Sequence, residues 1–269
     1  MLLAVDVGNT QTVIGLYDGD QLVDHWRIAT NPERTSDEHH LLVAQFLTQH
    51  GRFDPFGPSV GGAEPQLTGM VVASVVPRVT AALREMARRY LGAEPVVVEP
   101  GVRTGLPILY DNPREVGADR IANAVGAHDL YGGPAIVVDF GTATTLDAIT
   151  AAGEYAGGAI VPGVEVSLDA LFHRADRLTR VELVEPRGVI GKNTVESVQS
   201  GVLYGTACLV EGLTRRFQDE LGPATVVATG GLGGLFAALS AAIDHHEPWL
   251  TLHGLRLIHA RNAAPAAKR

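Results

Sequence analysis

The chain has 269 residues, 46% hydrophobic and 19% charged, with 30 acidic side chains against 21 basic ones and a net charge of −9. Such a composition belongs to a folded globular protein, excludes an intrinsically disordered one, and argues against a nucleic-acid binder, which carries a basic surface. The single cysteine, Cys208, rules out an internal disulfide; no run approaches the ~18 apolar residues of a membrane span, and the start Met1-Leu2-Leu3-Ala4-Val5-Asp6 lacks the basic region of a signal peptide, so a cytoplasmic protein with no membrane partner is expected.

Taken in chain order, the apolar runs predict strands near 2–7, 11–17 and 21–29, the last two joined by the turn Asp18-Gly19-Asp20. Thr35-Ser36-Asp37-Glu38 has the spacing of a capping box, and a helix should follow to about residue 50. Residues 51–66 are rich in Gly and Pro and read as a loop. Next come a strand from Gly69 to about Val76, a helix over 79–91 and a short buried strand at Val96-Val97-Val98. An irregular stretch, 100–116, leads to a helix from Asp119 to about Leu130 that packs on small residues. The second half then offers a strand at 135–139 with a hairpin, a glycine-bounded strand at 157–163 and a helix from about Glu165. A long helical pattern over 194–221, a strand at 225–229 and a short helix complete the reading, with 263–269 as a frayed tail. Cys208 falls in the apolar run Thr206–Val210 and reads as a small core residue rather than a nucleophile. Strands alternating with helices imply an α/β protein, and the chain divides naturally near 116 into halves 1–116 and 117–269.

Two segments repeat each other. Asp6-Val7-Gly8-Asn9-Thr10 follows the apolar run 2–5, and Asp139-Phe140-Gly141-Thr142 follows 135–138, the two aspartates standing 133 positions apart. A strand, D-x-G-x-T and a second strand make a phosphate holder. Glycine lets backbone approach the oxyanion, turn N–H groups and Thr hydroxyls donate to it, and Asp can hold a cation that offsets its charge. Either turn alone is also compatible with an Asp that merely ends a strand; the recurrence points to two similar half-domains gripping a nucleotide. Neither a P-loop nor a Rossmann fingerprint is present. Thr225–Gly234 runs from a strand into glycines, which suits either a nucleoside platform or a tight turn. Gly117-Ala118-Asp119-Arg120 opens a helix, where free N–H groups and Arg120 attract an anion and Asp119 can take a hydroxyl proton; a surface Asp–Arg pair is the simpler alternative. The pairs His39-His40 and His245-His246 are adjacent, so their side chains diverge and suit no metal site, while Arg88-Arg89 and Arg215-Arg216 read as solvated helix faces.

These motifs, with Gly157–Gly163 and Thr229-Gly230-Gly231-Leu232, occur together in the order and spacing of one family. The chain closely resembles the type III pantothenate kinases from residue 1 to about 262. The resemblance implies duplicated ribonuclease H-like, actin-like ATPase half-domains with a nucleotide cleft between them. It also implies transfer of the ATP γ-phosphoryl group to pantothenate, the first step of coenzyme A synthesis. Carried over by position, Asp6, Val7, Gly8, Asn9, Thr10, Gln11, Thr12 and Val13 would contact ATP and its Mg2+, and Thr142 would also contact ATP. Asp119 would be the catalytic base, and Gly117, Ala118, Asp119 and Arg120 would hold pantothenate. Asp139 would bind the monovalent cation, K+ or NH4+. Tyr110 and Thr194 match positions that touch pantothenate, although by themselves they read as a packing tyrosine and a helix N-cap. The family implies a homodimer, for which the apolar positions and glycines of 194–221 offer a face. A non-catalytic regulator is the alternative, since some relatives are described as transcriptional accessory factors; the intact Asp6, Asp119 and Asp139 count against it. A polyphosphate phosphatase or actin-like ATPase of the same superfamily would lack the Gly117–Arg120 turn.

Overall fold

The computed structural model of the chain describes residues 1–49, 67–175 and 181–263. The first half grows around a two-faced strand. β1 (Leu2–Val7) buries Leu3, Val5 and Val7 toward one side, and the alternation of a strand turns Ala4 and Asp6 to the other. β2 (Gln11–Asp18) and β3 (Gln21–Ala29) return antiparallel, while β4 (Gly69–Ser74) and β5 (Val96–Val97) lie parallel on the other flank, giving the order β3-β2-β1-β4-β5. Helices α1 (Ser36–Gln49) and α2 (Pro77–Met86) cover the Leu3/Val5/Val7 side with Val43, Leu47, Val79, Leu83 and Met86. The capping box at α1 is real: Thr35 N–H donates to Glu38 Oε2 at 2.7 Å and Glu38 N–H to Thr35 Oγ1 at 3.3 Å. Pro77 opens α2, where its missing N–H would be unpaired anyway, and one π-helical turn, Ala87–Leu91, extends the helix. The loop expected over 51–66 lies outside the described residues.

After α3 (Ala118–Tyr131) the same plan returns. β6 (Ala135–Phe140), β7 (Ala143–Ile149) and β8 (Tyr155–Pro162) form an antiparallel meander, followed by α4 (Val164–Arg174) and α5 (Thr194–Leu221). β9 (Thr225–Thr229) lies parallel to β6, and β10 (His245–His246) lies parallel to β9 beyond α6 (Gly233–Leu239). The sheet order is β10-β9-β6-β7-β8, so β6 to β10 repeat the pairings of β1 to β5 strand for strand. The core of this half lies on the Ile136/Val138/Phe140 side of β6, against Leu168 of α4, Leu203 and Val210 of α5 and Phe236 of α6. A last helix, α7 (Leu250–Asn262), buries Leu250, Leu252, Leu255 and Ile258.

Three expectations change. The chain does not divide at 116: one unit comprises 1–105, 114–126 and 251–269, the other 106–113 and 127–250. The reason is α7, an element the sequence reading did not anticipate, which returns to pack with the first half. Cys208 is exposed rather than buried. The inward stripe of α5 is Ser200, Leu203, Ala207, Val210 and Thr214, spaced 3-4-3-4, and position 208 lies one residue off it. Finally, Thr194 is not the cap of α5. Asn193 is, its side chain accepting from Glu196 N–H at 2.9 Å.

Candidate active site

In the first unit the site begins at the β1–β2 turn. Gly8 N–H donates to the Gln11 carbonyl at 3.0 Å, closing a turn whose Asn9, Thr10 and Gln11 are exposed. Asp6 is half-buried at the strand end, on the sheet side away from α1 and α2, and faces Val13 across the ladder. Val7 and Thr12 point inward instead, at 1% and 2% exposure. The sequence reading does not single out Thr30, which holds this turn in place. Its hydroxyl donates to the Gly8 carbonyl at 2.8 Å and meets the Thr12 hydroxyl at 2.8 Å, while its N–H donates to the Thr10 carbonyl at 3.0 Å. A threonine just past the end of β3 carries no periodic signal, so only the three-strand register reveals it.

The same unit contains the start of α3. Gly117 accepts from Ile121 N–H at 3.1 Å, placing Asp119 in the first helical turn, half-buried, with its Oδ1 accepting from Arg120 N–H at 2.8 Å. Ala118 and Arg120 are buried, Arg120 at 7% exposure. The simple surface Asp–Arg pair is therefore not what the fold builds: a guanidinium taken this far out of water is costly unless its charge is matched. Free N–H groups of the first helical turn add a positive potential beside Asp119.

In the second unit the β6–β7 turn is one residue tighter than its counterpart. Gly141 N–H donates to the Ala143 carbonyl and Gly163 N–H to the Thr142 carbonyl, both at 3.0 Å, with Gly141 and Thr142 exposed. Asp139 is half-buried and pairs in register with Thr229 of β9 and Thr145 of β7. Gly230, at φ +86°, follows Thr229 so closely that a Cβ there would lie 2.4 Å from Asp139 Oδ1. The glycine-rich turn after β9 thus makes room for this carboxylate. Tyr110 is half-buried beside Tyr155, their ring centroids 6.3 Å apart, and Thr194 is exposed at the first turn of α5.

A model of the family "Type III pantothenate kinase" matches residues 2–216. The type III pantothenate kinase of Streptomyces avermitilis is 54% identical over 267 residues, covering 97% of this chain and 98% of the relative. That of Myxococcus xanthus is 52% identical, covering 98% and 100%. The chain belongs to the type III pantothenate kinase family. Among solved structures, a Campylobacter jejuni protein described as a Baf family transcriptional activator covers 97% of this chain and 98% of its own, with TM-score 0.60 and 20% identity. The activator of 2-hydroxyisocaproyl-CoA dehydratase from Clostridium difficile, solved with bound ADPNP, covers 97% and 95% with TM-score 0.54 and 11% identity. At such identities these two share the fold, a duplicated actin-like ATPase α/β architecture.

The donor chemistry suits the groups that a kinase of this family uses. Each turn offers one half-buried carboxylate beside backbone N–H groups. Mg2+ is ordinarily held by one or two carboxylates together with substrate phosphates and waters, so a single aspartate at such a turn would be an adequate protein share. Asp139, with the Gly230 backbone close against its Oδ1, likewise offers the oxygen donor that a hard cation takes. Among the described residues no group of three or more His, Cys, Asp or Glu side chains gathers into a metal cluster, and no helix is long and apolar enough to cross a membrane.

Proposed function

We infer that this chain transfers the γ-phosphoryl group of ATP to the hydroxyl of pantothenate, giving 4'-phosphopantothenate and ADP at the start of coenzyme A synthesis in the cytoplasm. The observation that carries the reading is the pair of strand-end turns, D-x-G-x-T from Asp6 and the one-residue-tighter D-x-G-T from Asp139, at matching places in two equivalent sheets, together with a carboxylate at the opening of α3, in a member of this family. In the reaction the pantothenate hydroxyl oxygen forms the new P–O bond, and the bond from the γ-phosphorus to the β–γ bridging oxygen breaks. The hydroxyl proton passes to Asp119, and ADP carries away the electron pair. Asp6 would hold the Mg2+ that pairs with the phosphate oxygens, N–H groups at the exposed tip of the Gly8–Gln11 turn would donate to those oxygens, and the Thr142 hydroxyl would donate from the second turn. Gly117 to Arg120 seat pantothenate, the Arg120 guanidinium matching its carboxylate, with Tyr110 and Thr194 as further contacts. When bound, Mg2+ and a K+ or NH4+ ion at Asp139 supply positive charge that offsets the triphosphate, which a chain of net charge −9 does not supply globally.

Release of ADP measured with and without pantothenate tests the reading. Release that requires pantothenate and falls when Na+ replaces K+ is expected. Equal release without pantothenate would make the chain a plain ATPase, and none in either case would favour the regulatory alternative.

We also propose that the enzyme is a homodimer joined through α5. Most of the apolar positions expected to form a second strip pack into the core of their own unit: Leu203 and Val210 fully, Val198, Val202 and Leu213 in part. What faces outward is narrower: Val195, Gly201, Gly205, Cys208 and Leu209. Nothing stands within 4 Å of a Cβ at Gly201 or Gly205, so a partner helix has space to approach closely.

A further inference from the structure

β7 carries an ionisable side chain where a strand in the middle of a meander ordinarily carries none. Asp147 is 0% exposed, between Leu146 and Ala148 in the sequence, with β6 on one flank of its strand and β8 on the other. An ionisable group taken wholly out of water is costly unless hydrogen bonds satisfy it, and an apolar residue at the same place is generally at least as stabilising. Its two oxygens are engaged by different hydroxyls. Thr145 Oγ1 donates to Oδ2 at 2.9 Å, and the Tyr155 hydroxyl donates to Oδ1 at 2.7 Å. Thr145 sits opposite Asp139 in the ladder, on the same sheet face. Tyr155 is also 0% exposed, and its backbone does a second job. Its N–H donates to the Pro107 carbonyl at 2.8 Å, and its carbonyl accepts from Leu109 N–H at 2.8 Å. Those two bonds fasten the segment 106–113 to the start of β8, and this segment carries Tyr110. The Tyr110 ring lies against that of Tyr155 and over Gly157, where a Cβ would stand 3.6 Å from it.

We propose that Asp147 is a positioning residue for pantothenate: it locks the Tyr155 ring through the buried hydroxyl, and Tyr155 in turn fixes the backbone and ring of Tyr110. The inference rests on the reading of Tyr110 as a pantothenate contact. It extends that reading to two buried residues that touch neither substrate nor ATP. Because the chain Thr145–Asp147–Tyr155–Tyr110 ends on the acceptor substrate and not on the transferred phosphoryl group, its loss should appear in KM for pantothenate and leave kcat alone.

The test is steady-state kinetics with both substrates on wild type, Tyr155→Phe, Asp147→Ala, Asp147→Asn, Tyr110→Ala and the Tyr155→Phe/Tyr110→Ala double variant. Tyr155→Phe removes one hydroxyl and should raise KM for pantothenate about fivefold, the effect of one lost hydrogen bond, with kcat and KM for ATP within about twofold of wild type. Asp147→Ala should match or exceed that rise, and Asp147→Asn, which keeps an acceptor oxygen, should recover most of it. In the double variant the Tyr155 effect should vanish, since Tyr110 is no longer there to be positioned. If Tyr110→Ala raises KM for pantothenate while Tyr155→Phe does not, the positioning role is overturned and Tyr110 stands as a substrate contact. If Tyr110→Ala leaves that KM unchanged, the substrate assignment of Tyr110 is itself wrong and the inference falls with it. Equal losses in kcat and in KM for ATP would mark Asp147 as a general support of the fold and overturn the proposal. Should Asp147→Ala fail to fold, Tyr155→Phe breaks the same contact and decides alone.

Discussion

A carboxylate in the first turn of α3 has the backbone around it to hold it still, since Asp119 Oδ1 accepts from the adjacent Arg120 N–H. Asp119→Asn keeps that acceptor and the size of the side chain but removes the proton acceptor. It should lower kcat by about 10²- to 10⁴-fold, the worth of general-base catalysis, while ATP binding measured by calorimetry is retained. A variant with half the wild-type kcat would take Asp119 out of the reaction. A second residue sets a pH dependence unrelated to catalysis. His39 of α1 is 3% exposed, its Nε2 meets no hydrogen-bond partner among the described residues, and burial, helped by the nearby Arg34, pushes its pKa down to about 4. The folded state therefore keeps His39 neutral while the unfolded chain protonates it below about 6.5. Stability should fall as pH drops from about 6.5 toward 4, by up to roughly 1.4 kcal/mol per pH unit, with no further contribution from this residue below 4. Urea unfolding of His39→Leu at pH 7 and pH 5 checks this: the variant should lose less stability between the two than wild type does.

At the scale of elements, strands and hairpins are legible because their apolar runs are short, β-branched and bounded by Gly or Asp. α5 is legible because a 3-4-3-4 stripe persists through its middle turns, from Ser200 to Thr214. α7 escapes for the opposite reason. His253, Gly254 and His259 break up its apolar stripe, and a glycine in mid-helix reads as a breaker. The structure shows why glycine is there: a Cβ at Gly254 would lie 1.8 Å from the Ala122 carbonyl of α3. The two helices touch backbone to backbone, and Thr251 Oγ1 donates to the buried Asn123 Oδ1 at 2.7 Å beside the contact. Gly254→Ala must push α7 off α3, so it should cost about 3 kcal/mol or more, the upper range for overpacking. Thermal unfolding that matches wild type within 2 °C would show that the crossing is looser than this. Asp147 and Tyr155 were hidden by another limit, since a polar residue in a buried strand announces neither its partner nor its purpose until the register is known.

For the whole molecule, the duplication is legible in the two short motifs Asp6–Thr10 and Asp139–Thr142 and is complete in the sheets, whose ten strands fall into two sets with equivalent pairings. The place of division was not, because it depends on contacts between α3 and α7, more than 120 residues apart in sequence. Assembly beyond one chain rests on the outward strip of α5. Light scattering at micromolar concentration should report twice the chain mass, and Leu209→Glu, on that strip, should lower it toward one chain without unfolding either unit. A single-chain mass in the fully active wild type would remove the dimer. The interleaving of the units also bears on how the chain is made. Synthesis proceeds from the N-terminus, so the β1–β5 sheet emerges early yet lacks the α3–α7 seam until the entire β6–β10 unit has been translated. The nascent first half must therefore wait without α7, whose Leu252 and His259 close against Gly15 of β2 and Gly69 of β4. That face of the sheet is among the last features of the protein to gain its final surroundings, although its strands are among the first segments to leave the ribosome.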